Sequence, residues 1–311
     1  MTALLAARFD EHEQEAWLRA LRAELPGERI VTTAAEGPAP DIDIAIVANP
    51  PAGALQGLPG LRLIQSLWAG VDRLLADTTV PHGVPIARMV DPAMNAAMAE
   101  TALWAVLSLH RGYFRYAALQ REAHWSPHGQ QRADEATVAV LGLGEMGRAT
   151  ALRLAAQGYR VHGWSTRPAR LEGVSTHAGE ASLQNVLAAA DIVVNLLPLT
   201  PLTRDLFRAE TFERMKPASR LVNLARGAHV VEADLLAALD SGRLQHAVLD
   251  VFRSEPLPAE HPFWRHPRVT VLPHAAAQTD PRSAARVAAA NVRAARAGTA
   301  IAHLVDRHRG Y

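Results

Sequence analysis

The 311-residue chain predicts an α/β protein built on a doubly wound parallel sheet, and three observations carry that prediction. Short apolar runs suited to buried strands alternate along the chain with Ala- and Leu-rich stretches of helical periodicity. One of those runs, Thr137 to Leu141, breaks into Gly142-Leu143-Gly144-Glu145-Met146-Gly147 and resumes as a helical pattern. The length also exceeds that of a usual single hydrophobic core, so two domains are expected.

Taken in order, the elements bear this out. Ala3 to Ala7 reads as a first strand, and Glu11 to Leu25 as a helix, with Trp17, Leu18, Leu21 and Leu25 at helical spacing and Pro26-Gly27 ending it. Arg29 to Thr33, Ile42 to Ala48 and Leu61 to Leu67 are further buried strands. The last runs into Trp68-Ala69-Gly70-Val71-Asp72, a loop at the carboxyl end of a strand, where open parallel sheets collect their ligands. From Pro92 one long helix is expected to about Ala123. Its apolar content exceeds what one domain face needs, so burial against a second subunit and a homodimer are expected.

After the loop from Trp125 to Asp134 comes the glycine turn, with a helix from Met146 to Gln157 closed by Gly158 and a strand over Arg160 to Trp164. Asp191 to Leu197, Arg220 to Ala225, Gln245 to Val251 and Val269 to Leu272 supply the remaining strands, six in all for a Rossmann-type sheet. A final helix over Pro281 to Ala297 is expected to return to the first domain.

Composition narrows the classes. Lys plus Arg number 32 against 31 for Asp plus Glu, which argues against an electrostatic grip on nucleic acid. There is no cysteine, hence no disulfide framework, thiolate nucleophile or cysteine metal site. The N-terminal apolar run has no basic leader and is cut early by charge, and no uninterrupted apolar span reaches membrane length, so a soluble cytoplasmic protein is expected.

The glycine stretch has strand before it and helix after it, the context of a dinucleotide site. Gly142 permits the tight turn, Gly144 lets backbone N–H groups approach a pyrophosphate, and Gly147 lets helix and strand pack closely. Glu145 and Met146 open the helix whose positive end would face the phosphates. In NAD sites a carboxylate at the end of the second strand holds the ribose hydroxyls, but Gly158 to Leu171 contains no Asp or Glu. It offers Trp164-Ser165-Thr166-Arg167-Pro168-Ala169-Arg170 instead, with hydroxyls and guanidinium groups suited to a 2′-phosphate. NADPH is therefore expected as the preferred cofactor, with NADH as the second.

Three ionisable residues directly follow buried strands: Arg226 in Asn223-Leu224-Ala225-Arg226-Gly227, Glu255 in Asp250-Val251-Phe252-Arg253-Ser254-Glu255-Pro256, and His274 in Leu272-Pro273-His274-Ala275-Ala276. With the Ala69-Gly70-Val71-Asp72 loop, the glycine turn, Leu197-Pro198-Leu199-Thr200-Pro201 and the terminal Val305-Asp306-Arg307-His308-Arg309-Gly310-Tyr311, the chain resembles the D-isomer-specific 2-hydroxyacid dehydrogenase family, and more narrowly its glyoxylate/hydroxypyruvate reductases.

Reducing a 2-keto acid needs a hydride donor, a proton donor at the developing alkoxide, and cationic or N–H partners for the carboxylate. His274 fits the proton donor and Glu255 would orient its ring. Arg226 would hold the carboxylate, together with the N–H groups of Ala69, Gly70 and Val71. The resemblance further implies that Asp250 and the Ala225 carbonyl bind the nicotinamide carboxamide and that Leu197 and Pro198 pack near the adenosine. Trp68 stands where the family usually has glycine, either packed between domains or walling the substrate pocket. Trp264 resembles a family aromatic near the active cleft. The reaction needs no metal.

The resulting expectation is a Rossmann domain over residues 92–275, inserted into a smaller flavodoxin-like substrate domain made of residues 1–91 and 276–311, with catalysis in the cleft between them. A 2-hydroxyacid dehydrogenase for a phosphorylated or branched substrate is the alternative. A cofactor-sensing interaction protein on the same fold is the rival from another class.

Overall fold

The computed structural model describes residues 1–311 and divides into two compact units, residues 1–94 with 279–311 and residues 95–278. The first begins with β1 (Thr2–Ala7), α1 (Glu11–Glu24), β2 (Arg29–Val31), β3 (Ile42–Ala48), β4 (Leu63–Ser66), α2 (Asp72–Ala76) and β5 (Ile86–Ala87). Asp10 starts α1 with a capping box, its carboxylate accepting from the Glu13 N–H while the Glu13 carboxylate accepts from the Asp10 N–H. The five strands form a parallel sheet in the order β2-β1-β3-β4-β5, which is the 2-1-3-4-5 order of flavodoxin-like folds. Leu4, Ile42, Ala45, Val47 and Ile64 fill one face of it as near-continuous apolar runs, as strands covered on both sides require.

The chain passes into the second unit along α3 (Pro92–His110), followed by α4 (Tyr113–Arg121), β6 (Thr137–Leu141), α5 (Glu145–Ala156), β7 (Arg160–Ser165), β8 (Ser175–Ala178), α6 (Glu180–Ala189), β9 (Ile192–Asn195), α7 (Ala209–Arg214), β10 (Ser219–Asn223), α8 (Glu232–Asp240), β11 (Leu244–Leu249) and β12 (Val269–Val271). The last helix, α9 (Pro281–Ala297), is capped by Asp280 and lies in the first unit, against α1 and β4. No helix is long and apolar enough to cross a membrane.

Two elements differ from the sequence expectation. The long helix from Pro92 is two helices, broken at Gly112, whose φ of 72° is left-handed. The His128 ring lies over this glycine, 2.5 Å from where a Cβ would stand, so the break is fixed by packing as well as by backbone freedom. The nucleotide-type sheet has seven parallel strands, not six, in the order β12-β11-β10-β9-β6-β7-β8. The additional strand, β8, reads Ser-Thr-His-Ala and occupies the edge, where a half-exposed strand needs no apolar run.

In chain order along this sheet the arrangement is 3-2-1-4-5-6-7, and the direction of winding reverses between β6 and β9. That reversal is the topological switch point at which doubly wound sheets bind nucleotides, outside the carboxyl ends of the strands.

Candidate active site

Because every strand of the larger sheet is parallel, the segments following β6, β7, β9, β10, β11 and β12 all emerge at one edge. Those segments contain Gly142 to Gly147, Ser165 to Arg167, Leu197-Pro198, Ala225-Arg226, Asp250 to Glu255, and His274 in turn.

The three glycines are required for different reasons. Gly142 has φ 95°, and a Cβ there would lie 2.7 Å from the Leu196 carbonyl oxygen. A Cβ on Gly147 would come 1.7 Å from the Gly142 oxygen. Folding thus needs both. Gly144, the N-cap of α5, has ordinary φ of −71° and open space around its missing Cβ. The space a Gly144 side chain would take is open, as close approach of a pyrophosphate to the positive end of α5 would require. Glu145 is exposed in the first turn, and Met146 is half-buried against the core under α5.

At the end of β7, the Ser165 hydroxyl donates to the Arg167 carbonyl at 2.7 Å, shaping the turn that leaves Thr166 and Arg167 exposed. Trp164 is a core side chain: its ring is buried with Leu183 and Leu187, its Nε1–H donates to the Gly179 carbonyl at 3.0 Å, and only its carbonyl reaches the glycine turn, accepting from the Gly142 N–H. Leu197 is likewise buried in that core.

Arg226, Glu255 and His274 follow β10, β11 and β12, three neighbouring strands. His274 Nδ1 lies 2.9 Å from Glu255 Oε2, with the imidazole half-exposed and the carboxylate mostly covered. The other oxygen, Oε1, accepts from the Phe252 N–H at 3.0 Å, so the carboxylate is fixed from behind. His274 itself has a left-handed φ of 53°. It is held there by Asp250: the Asp250 carbonyl accepts the His274 N–H at 2.9 Å, while the carboxylate oxygens accept from Ala275 N–H at 2.7 Å and Ala276 N–H at 3.1 Å. Burial pushes the Asp250 carboxyl above the usual aspartate range, and the two N–H bonds pull against that. From α3, Thr101 Oγ1 donates to the Ala276 carbonyl at 2.7 Å.

The Arg226 guanidinium donates to the Ala225 carbonyl at 2.7 Å. The Arg226 loop and the Glu255 loop meet at Gly227, where a Cβ would fall 1.9 Å from the Phe252 carbonyl carbon. Trp264 is half-exposed, with its Nε1–H on the Pro258 carbonyl at 2.9 Å.

In the first unit, the Ser66 hydroxyl and the Trp68 backbone exchange hydrogen bonds at 3.0 Å, which sets the turn leading to Ala69, Gly70 and Val71. The Trp68 ring stands edge-on to both Phe9 and Trp17, at centroid distances of 6.2 and 6.4 Å. Its indole nitrogen is buried without an acceptor.

An imidazole backed by a carboxylate, with an arginine and a glycine turn on the same sheet edge, is a constellation suited to carbonyl reduction. Residues 103–276 match the D-isomer specific 2-hydroxyacid dehydrogenase, NAD binding domain family. The chain is 40% identical over 302 residues to the glyoxylate/hydroxypyruvate reductase A of Serratia proteamaculans, covering 96% of each protein. The chain belongs to the D-isomer-specific 2-hydroxyacid dehydrogenase family. Among solved members, one from Xanthobacter autotrophicus Py2, in complex with NADPH and MES, superposes on the dehydrogenase with a TM-score of 0.95 at 40% identity, covering 100% of this chain and 99% of the other. An NADPH-dependent glyoxylate/hydroxypyruvate reductase from Sinorhizobium meliloti, in complex with NADP and sulfate, gives 0.92 at 34% identity over 100% and 99%.

The dehydrogenase also carries a buried polar group that sequence reasoning passed over. Asn195 and Asn223, the last residues of β9 and β10, and His229 in the turn after Arg226 are fully buried and hydrogen-bonded to one another. The signal was present as a repeated phrase, Val193-Val194-Asn195-Leu196 and Leu221-Val222-Asn223-Leu224, an amide ending each of two apolar strands.

Proposed function

We propose that the protein reduces a small 2-keto acid with NADPH, glyoxylate to its achiral 2-hydroxy acid or hydroxypyruvate to the D-2-hydroxy acid. The observation that carries this reading is the 2.9 Å contact of His274 Nδ1 with Glu255 Oε2 at the end of β12, on the same sheet edge as Arg226 and the glycine turn.

When bound, the dinucleotide would supply the hydride that the carbonyl carbon receives. The protein supplies everything else. Nδ1–H of His274 donates to Glu255, which fixes the ring and leaves Nε2–H to give its proton to the carbonyl oxygen as negative charge develops there; a proton from water then restores Nε2. Arg226 opposes the substrate carboxylate and polarises the carbonyl, and the N–H groups of Ala69, Gly70 and Val71 are donors of the kind a carboxylate accepts from. Trp264, Leu197, Pro198 and the Ala225 carbonyl border the cofactor and substrate, and Asp250 serves the carboxamide while anchoring the His274 loop. Ser165, Thr166, Arg167 and Arg170 favour the 2′-phosphate because nothing acidic lies among them. The same phosphate is carried by the cofactors of the Xanthobacter and Sinorhizobium relatives. A homodimer in the cytoplasm accounts for Trp104 and Leu107, apolar side chains left exposed on α3.

The test is a kcat/KM panel of glyoxylate, hydroxypyruvate, pyruvate and branched 2-keto acids, each with NADPH and NADH. Glyoxylate and hydroxypyruvate with NADPH should lead, and chiral analysis of the hydroxypyruvate product should return the D-enantiomer. A preference for branched acids or for NADH, or an L-product, overturns the corresponding part of the reading.

A further inference from the structure

Two loops at the carboxyl edge of the larger sheet lie on neighbouring strands, Leu197-Pro198 after β9 and Ala225-Arg226 after β10. Asn195 and Asn223 end those strands and are direct partners across the ladder. Each amide closes its own loop. Asn195 Oδ1 accepts from the Leu197 N–H at 3.3 Å. Asn223 Oδ1 accepts from the Ala225 N–H at 3.3 Å, and its Nδ2 donates to the Arg226 carbonyl at 3.0 Å.

These contacts leave one consistent orientation for the group. With Oδ1 of Asn195 committed to the Leu197 N–H, its Nδ2 is what faces Asn223 Oδ1 at 3.0 Å and His229 Nδ1 at 2.9 Å. An amide nitrogen only donates, so Nδ1 of His229 accepts and the ring's proton sits on Nε2. Nε2–H then donates to the Pro198 carbonyl at 3.3 Å. A second proton on this ring would set N–H against N–H. The imidazole is therefore neutral, and it receives a bond through the Asn pair that shapes the Arg226 loop while giving one to the Pro198 loop.

We propose that His229 is a positioning residue that locks the Leu197-Pro198 loop and the Ala225-Arg226 loop in a fixed relation, so that cofactor binding and substrate binding are set by one buried hydrogen-bond relay. The inference rests on the reading of these loops as cofactor- and substrate-facing. Fold stability alone does not call for this group, since buried polar partners replaced together by apolar ones of like shape can be close to neutral. What three buried polar side chains add is direction, at the edge where the strands meet their ligands. The turn bearing His229 is tied independently through its backbone, its N–H to the Arg226 carbonyl at 3.2 Å and its carbonyl to the Phe207 N–H at 2.9 Å.

The two ring nitrogens can be tested separately. His229→Gln puts a donor where Nε2 lies and loses the acceptor for Asn195; His229→Asn does the reverse; His229→Phe keeps a ring and loses both. NADPH affinity is read by fluorescence titration without substrate, and the keto-acid KM and kcat by steady-state rates. The Gln variant should bind NADPH nearly as the parent does and raise the keto-acid KM by about 10-fold, the loss of one buried hydrogen bond. The Asn variant should weaken NADPH binding by about 10-fold with a smaller change in keto-acid KM. Equal losses in both parameters for both variants, tracking any fall in melting temperature, overturn the proposal, as does a Phe variant with parental constants. If the Phe protein does not fold, the Gln and Asn pair decides. A parent protein that binds NADPH but reduces neither glyoxylate nor hydroxypyruvate would sink the substrate reading alone, and the Gln against Asn contrast in NADPH affinity would still support or refute the role of His229.

Discussion

Replacing Asp250 by Asn should release the His274 loop, and the structure sets the scale of the effect. A non-glycine residue at positive φ costs roughly 1–2 kcal/mol, and His274 is held at 53° by two N–H bonds to the Asp250 carboxylate and one to its carbonyl. The two charge-assisted bonds together contribute about 3–6 kcal/mol, enough to exceed the strain. Asparagine keeps one of them as a neutral bond of about 1 kcal/mol and turns the other into N–H facing N–H, at a cost of about 1 kcal/mol or more. Against the strain, and with the surviving backbone bond of about 1 kcal/mol counted, the observed loop is left disfavoured by up to about 1 kcal/mol, so that between about half and one in six of the molecules keep His274 on Glu255 and kcat falls about 2- to 6-fold. Steady-state rates at saturating keto acid and NADPH, alongside NADPH titration of the same variant, measure this. A loss confined to NADPH affinity, with kcat intact at saturation, would refute the anchoring argument and leave Asp250 a cofactor ligand only. The parent should show the same weakening as pH falls. Burial raises the Asp250 carboxyl, so it protonates at higher pH than an ordinary aspartate and loses its acceptor strength there.

Other outcomes follow from the same geometry. Gly144→Ala should weaken NADPH binding at least 10-fold with almost no change in melting temperature, because its Cβ enters open space, whereas Gly147→Ala should lower the melting temperature outright, its Cβ colliding with the Gly142 oxygen. Thermal denaturation with cofactor titration separates the two. Arg167→Glu should invert the NADPH to NADH ratio of kcat/KM, and an unchanged ratio would remove Arg167 from the 2′-phosphate site. His246, lowered from 6.5 to about 4 by burial and then by Arg220, His266 and Arg268, binds a proton in the unfolded chain before it does in the fold. Its share of stability is intact above pH 6.5 and is lost as pH falls toward 4, about 3 kcal/mol in all; urea melts of His246→Gln across that window should show a shallower acid decline than the parent. Trp104→Asp should shift sedimentation toward the monomer if α3 is the subunit face, and an unaltered profile would place the interface elsewhere.

The parts of this molecule legible in its sequence are those where one local cause fixes the structure. Strands β6, β9, β10 and β11 are apolar because both faces are covered, and the glycine turn is marked because no other residue fits at 142 and 147. β8 escaped because an edge strand carries no such run. The helix break at Gly112 escaped because apolar residues continue on both sides of it, and the His128 ring that fixes it is distant in sequence. Trp164 drew notice as a strand-end residue, yet the pleat turns its ring toward α6 while the next residues reach the edge. Arg226, Glu255 and His274 stood out by following strands directly. Asn195, Asn223 and His229 did not, since what makes them a unit is the ladder pairing of two strands and a returning turn, none of which is a spacing.

The close approach of Gly227 to Phe252 has a bearing on how such an enzyme can change. With no room for even a methyl group at that junction, the segment bearing Arg226 and the segment bearing Glu255 are mechanically one part. Inserting into or lengthening either would displace the other, so the relation of Arg226 to Glu255 is inherited whole. The turn following Ser66 lies outside that constraint, in the other compact unit of the chain, so its side chains can vary without moving the Arg226–Glu255 junction.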